Sequence, residues 1–199
     1  MKDKILISGF ADEISSDFDA QLKTVTELGM QYISLRSADG KGIADYSVEE
    51  VRSLILPRLE SAGVKVSSIG SPIGKVGIAD EEGFARQLSQ LDTLCQICKV
   101  LGCRYIRMFS FFIPEGEDPQ NYRDSVLSKL QKFIDVAKKY DVILIHENEK
   151  EIYGDIGTRC LDLMESLADP CFKSAFDFAN FVQCGENTEK CWELLHEYV

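Results

Sequence analysis

Positive charge is in short supply in this 199-residue chain: 22 Lys and Arg stand against 33 Asp and Glu, a net charge of −11. That balance excludes a surface built to grip phosphodiester backbones, which needs a basic face. Long hydrophobic runs are lacking too. No stretch approaches the ~18 apolar residues of a membrane-crossing helix, and the early run Ile5-Leu6-Ile7 is too short for the core of a signal peptide. The expected setting is the cytoplasm, with neither nucleic acid nor membrane as partner. Seven cysteines are an odd set for a disulfide framework. Histidine occurs only at His146 and His196, and no Ser-His-Asp or Cys-His ordering is recognisable. Repeats and low-complexity tracts are missing as well.

What is present has ordinary globular composition, 45 % apolar and 28 % charged. Short β-rich runs alternate with longer amphipathic stretches. Strands are expected at Lys4–Ser8, Gln31–Arg36, Val64–Ile69, Arg104–Ser110, Val142–His146 and Phe172–Phe176, and helices near 17–29, 48–62, 80–101, 120–139, 156–167 and 187–198. Gly29, Gly63 and Gly102 sit where helix stops belong, Ser47 with Glu50 reads as a capping box, and Pro119 opens a helix. Cys95-x-x-Cys98 falls on the apolar stripe of Leu88, Leu91, Leu94 and Leu101, so its expected role is core packing rather than metal binding. Strict βα alternation implies an α/β domain with a parallel sheet, doubly wound or a (β/α)8 barrel. The expected organisation is one domain over residues 1–199.

In either architecture the chemistry gathers where strands end. Glu147 and Asp177 stand at the tips of successive strands, with Asn148 and Asn180 beside them. These oxygen donors suit a hard or borderline divalent cation; the alternative is that each caps a helix or pairs with Arg36 or Arg107. Lys75, in Ser71-Pro72-Ile73-Gly74-Lys75, is either a contact for a substrate oxygen or phosphate or a solvated lysine after a tight turn. Arg107 alternates with Tyr105 and Phe109, so it points inward and needs a carboxylate partner; a structural ion pair and a catalytic role are both open. His146 lies inside the same strand-end cluster.

These residues resemble the sugar phosphate isomerase/epimerase superfamily, the xylose-isomerase-like TIM barrels. The resemblance rests on Tyr32-Ile33-Ser34-Leu35-Arg36-Ser37, Ser71–Lys75, Arg107-Met108-Phe109-Ser110-Phe111, His146-Glu147-Asn148-Glu149 and Ala175–Phe181. It implies a (β/α)8 TIM-barrel-like fold with six of eight β/α units present, a metal ion (Mn²⁺, Mg²⁺, Co²⁺ or Zn²⁺) on Glu147 and Asp177, and proton transfer on a sugar or sugar phosphate through an enediolate. Glu147 and Lys75 would be catalytic; Arg36, Ser71, Lys75, Arg107, His146 and Asn180 would hold the carbohydrate. Ser34 stands where many relatives carry glutamate, and Asn180 where histidine is frequent.

Six units of about 33 residues extrapolate to roughly 265 for eight, near the ~250 typical of such barrels. The chain is therefore expected to be incomplete at its C-terminus, with activity reduced by missing ligands. Two other expectations follow: a non-catalytic or partner-completed barrel, with a homo-oligomer covering the open edges, and, against the charge balance, an apurinic-site endonuclease-like enzyme.

Overall fold

The computed structural model describes residues 5–199. Its contacts divide the chain into two compact units, one built from the chain through Ser71 together with Thr93–Ile106, the other from Pro72–Asp92 and Arg107–Val199.

In the first unit, helix α1 (Phe18–Glu27) begins where the Asp17 carboxylate accepts the Ala20 N–H at 2.7 Å. It buries Phe18, Gln21, Leu22 and Val25 on one face. Strand β1 (Tyr32–Leu35) is followed by a tight hairpin of β2 (Ser37–Ala38) and β3 (Lys41–Gly42). Asp39 and Gly40 turn that hairpin with φ of 52° and 73°, the double positive-φ geometry of a two-residue β-turn. The expected helix near 48–62 is broken into α2 (Val48–Glu50), a π-turn over Val51–Ile55, and α3 (Leu56–Ala62). Pro57 is the physical reason: it has no N–H to give and its ring crowds the preceding turn. The Ser47–Glu50 capping box forms as the spacing requires. Strand β4 (Lys65–Gly70) runs parallel to β1, and the first half of β5 (Tyr105–Met108) follows it in the sheet.

The expected strand Lys4–Ser8 is a correction. Lys4 lies outside the described residues, and Ile5–Ser8 take no strand assignment. At its end the segment is tied to β1: the Ser34 N–H donates to the Gly9 carbonyl at 3.0 Å and Ser8 Oγ lies 2.8 Å from Ser34 Oγ.

The second unit holds the end of β5, then β6 (Ile143–Glu147) and β7 (Phe172–Ala175) in that order, the last two parallel. Its helices are α5 (Arg123–Lys138), α6 (Gly157–Leu167), α7 (Phe178–Gln183) and α8 (Thr188–Leu195). Helix α4 (Glu81–Leu101) passes through both units. It buries Cys95 and Cys98 with Leu91 and Leu94, so the Cys-x-x-Cys pair is apolar packing. Short α7 was not expected from periodicity, being only six residues long. Gly29, Gly63 and Gly102 all adopt positive φ, as helix stops do. Among the described residues, no helix is long and apolar enough to cross a membrane.

Candidate active site

Strand alternation sets the site. Along β6, Leu144 and His146 are buried on one face, while Ile145 and Glu147 share the other. On β5 the same rule buries Ile106 and Met108 and turns Arg107 to the opposite face. Arg107 and Glu147 therefore meet: Arg107 Nη1 lies 3.3 Å from Glu147 Oε2, with side chains only 12 % and 16 % exposed. Burial pushes the Glu147 carboxyl above the ordinary range. Arg107 opposes that rise, and the neighbouring charges of Asp177 and Glu149 add to it.

Asp177 follows β7 and opens α7, where its Oδ1 accepts the Asn180 N–H at 2.8 Å. Asn148, buried beside Glu147, clamps the same residue: its Nδ2 donates to the Asp177 carbonyl at 3.0 Å and its Oδ1 accepts the Asp177 N–H at 2.9 Å. The Asn180 side chain closes the lattice by donating to the Asn148 carbonyl at 2.9 Å. Asp177 is thus a helix cap, held by Asn148 and close enough to Glu147 for its charge to act on that carboxyl.

Lys75 is no solvated lysine. Its ammonium pairs with Glu149 at 2.7 Å and sits 4.3 Å from the centroid of the Phe109 ring. The Arg107 guanidinium approaches the same ring at 4.8 Å. A fully buried phenylalanine thus carries two cations at the strand ends. Gly74 makes this possible. It has φ of +87°, and a Cβ there would fall 1.9 Å from the Phe109 carbonyl oxygen. Only glycine lets residues 73–78 lie along 109–112, tied by Phe109 N–H to Ile73 O and Phe111 N–H to Gly74 O.

Two expected substrate contacts are revised. His146 is fully buried on the face opposite Glu147. Its Nε2 lies 2.9 Å from Ser110 Oγ, which also accepts the Gly154 N–H at 2.8 Å. Gly154 presses so close that a Cβ would meet the imidazole at 2.5 Å. Burial alone pulls the His146 pKa down to about 3. The ring is a neutral strut without a surface for ligand. Ser71, at the end of the first unit, is likewise fully buried. Arg36, also in the first unit, pairs with Asp12 at 2.8 Å and Glu13 at 3.2 Å and covers the Phe10 ring at 4.7 Å. Its charge is met by two carboxylates from the turn that precedes α1.

The second unit thus gathers Lys75, Arg107, Glu147, Glu149, Asp177 and Asn180, while Arg36 and Ser71 belong to the first. Sequence reasoning named Glu149 only as part of a strand-end motif and missed the Phe109 shelf. No group of three or more His, Cys, Asp or Glu positioned to hold a metal ion occurs among the described residues.

A family sequence model described as xylose isomerase-like TIM barrel matches residues 22–198. No curated protein matches the chain. Solved structures do. The probable 3-DHS dehydratase AsbF from Bacillus anthracis superposes with a TM-score of 0.78 at 12 % identity, over 98 % of this chain and 71 % of its own. A xylose isomerase-like TIM barrel protein from Mycobacterium smegmatis, in complex with magnesium, gives a TM-score of 0.78 at 14 % identity, over 98 % and 72 %. The E. coli 3-keto-D-glucoside 4-epimerase YcjR, in its apo form, gives 0.73 at 13 % identity, over 98 % and 77 %. Identities this low carry the fold alone; the family match carries more, and by it the chain belongs to the xylose isomerase-like TIM barrel family.

Proposed function

We propose that the chain is an isomerase or epimerase acting on a small carbohydrate that carries a carbonyl next to a hydroxyl-bearing carbon. The observation behind this reading is the Glu147 carboxyl: buried at a strand tip, raised in pKa, and set between Arg107 and a second, rigidly clamped carboxylate. Family membership supports it, as does the likeness to the E. coli 3-keto-D-glucoside 4-epimerase.

The donor set fits a hard cation better than zinc. Zinc sites commonly take three or more protein ligands, which the described residues do not gather. Magnesium or manganese keeps several waters and is held through one or two carboxylates, and Glu147 and Asp177 are such a pair, each committing one oxygen to the protein. Bound there, the cation would polarise the substrate carbonyl and acidify the adjacent C–H.

The chain's own groups then have distinct tasks. Glu147, whose pKa lies above the ordinary carboxylate range, takes the proton from carbon and returns it. Arg107 orients that carboxylate and limits its protonation. The Lys75 ammonium, braced by Glu149 and Phe109, balances the enediolate charge. Asn148 and Asn180 hold Asp177 in place. Incubation with ketopentoses and ketohexoses in D₂O with Mn²⁺ tests the reading. Deuterium should enter beside the carbonyl in the native protein and not in Glu147→Gln. Absence of exchange with every sugar in the panel would overturn it.

A further inference from the structure

In the first unit, well apart in sequence from the strand-end carboxylates, the end of α4 and the turn leading to β5 bring two cysteines together. Cys98 lies on the last turn of α4, and Gly102, at φ +67°, turns the chain so that Cys103 folds back on it. The Cys103 N–H donates to the Cys98 carbonyl at 3.0 Å, and the two sulfurs share a hydrogen bond at 3.5 Å. From this geometry we propose that Cys98 and Cys103 are a redox modification site that closes to a disulfide when the protein meets a peroxide.

A disulfide needs its sulfurs about 2.0 Å apart, so closure asks for a movement of about 1.5 Å between groups already facing each other. The two thiols are not equivalent. Both are buried, Cys98 with no exposed surface and Cys103 with 8 %, so Cys103 is the one a small peroxide reaches first as the chain breathes. The hydrogen bond shared with Cys98 holds the Cys103 thiol below its ordinary pKa, against the effect of burial, and the backbone N–H groups of Cys103 and Tyr105 support the thiolate further. Cys98, by the same contact and by burial, is pushed up. A thiol of lowered pKa facing a second, resolving thiol is the arrangement on which reversible cysteine oxidation depends.

The chemistry balances in two steps. The Cys103 thiolate attacks one peroxide oxygen: the S–O bond forms, the O–O bond breaks, and the departing hydroxide takes a proton and leaves as water. Sulfur is oxidised to the sulfenic acid and the peroxide is reduced. Cys98 sulfur then attacks Cys103 sulfur: the S–S bond forms, the S–O bond breaks, and the hydroxide leaves with the Cys98 proton as a second water. Two thiols and one hydrogen peroxide become one disulfide and two waters.

Trypsin separates the pair at Lys99, which makes the test direct. The whole native protein is treated with hydrogen peroxide, quenched, alkylated in denaturant and digested. Peptide 87–99 should appear joined to peptide 100–104, two hydrogens lighter than their sum, and a thiol reductant should part them. The cross-link should survive in Cys95→Ser and vanish in Cys103→Ser. In Cys98→Ser, dimedone should trap a sulfenic acid on Cys103. Over-oxidation of Cys103 in the wild-type protein without the cross-link, a link through Cys95 instead, or recovery of both thiols as alkylated residues after the other cysteines have oxidised would overturn the proposal. Mapping the wild-type protein decides the question without any variant having to fold.

Discussion

Arg107 Nη1 and Glu147 Oε2 stand 3.3 Å apart on neighbouring strands, both side chains largely withdrawn from water. The Arg107 guanidinium also lies against the ring of Phe109. Removing the cation would leave Glu147 a buried carboxylate facing Asp177 and Glu149, the two neighbours that already raise its pKa.

Arg107→Met should therefore cost about 3 kcal/mol of unfolding free energy near neutral pH, the usual outcome when one member of a buried pair is left behind. Urea unfolding measures it. A double-mutant cycle with Glu147→Gln should show a coupling of about 1–3 kcal/mol, because each single change strands the other partner. Additive effects would mean that the pair does not interact.

Gly74→Ala should destabilise by at least about 2 kcal/mol, since the added Cβ would fall 1.9 Å from the Phe109 carbonyl at a positive φ. Gly77→Ala is the control. Nothing lies within 4 Å of its Cβ position and its φ is not in the left-handed region, so its effect should stay within about 1 kcal/mol. Because Gly74 places Lys75 over Phe109, the first change should also lower sugar affinity, read by calorimetry.

Features set by a few adjacent residues were legible in the sequence. The Ser47–Glu50 capping box and the three glycine stops form as their spacing requires. Glu147 and Asp177 could be placed at strand tips because the β6 and β7 patterns are strong. Short α7 was hidden for the opposite reason: six residues carry little periodicity, and its capping residue, Asp177, drew notice as a metal donor instead. The Asp39-Gly40 pair is a strong local turn signal, and the hairpin it turns is only two residues on each side, too short to show a strand period. The Lys75–Glu149 pair spans 74 positions and depends on the close passage of Gly74 by Phe109, a tertiary fact that no spacing rule encodes. The face that His146 takes on β6 is not legible from its strand-end position, because alternation sets it only once the register of the strand is known.

Asn148→Ala should cost about 2 kcal/mol, because it removes the acceptor of the Asp177 N–H and the nearer donor of the Asp177 carbonyl, leaving that oxygen the Phe181 N–H at 3.4 Å. Asn148→Asp should do worse, since a carboxylate oxygen would then face the Asp177 carbonyl. If Asp177 and Glu147 act together on a divalent cation, the alanine variant should also bind Mn²⁺ more weakly, as titration calorimetry would report. Unchanged stability would show that the clamp is dispensable.

His146 gives the pH dependence. Its ordinary pKa of 6.5 falls to about 3 in the folded chain because the ring is fully buried. Below about pH 6 the unfolded chain binds a proton that the folded chain refuses, so stability contributed by this residue is complete above pH 6.5 and is lost as pH falls toward 3. The slope approaches about 1.4 kcal/mol per pH unit, which amounts to about 2.5 kcal/mol between pH 6 and pH 4. Urea midpoints measured across that range in the native protein and in His146→Gln isolate this contribution from that of the carboxylates. The glutamine variant, with its amide still able to reach Ser110, should lose less stability on acidification by about that amount. Parallel curves for the two proteins would mean that water or a proton reaches the ring in the folded state.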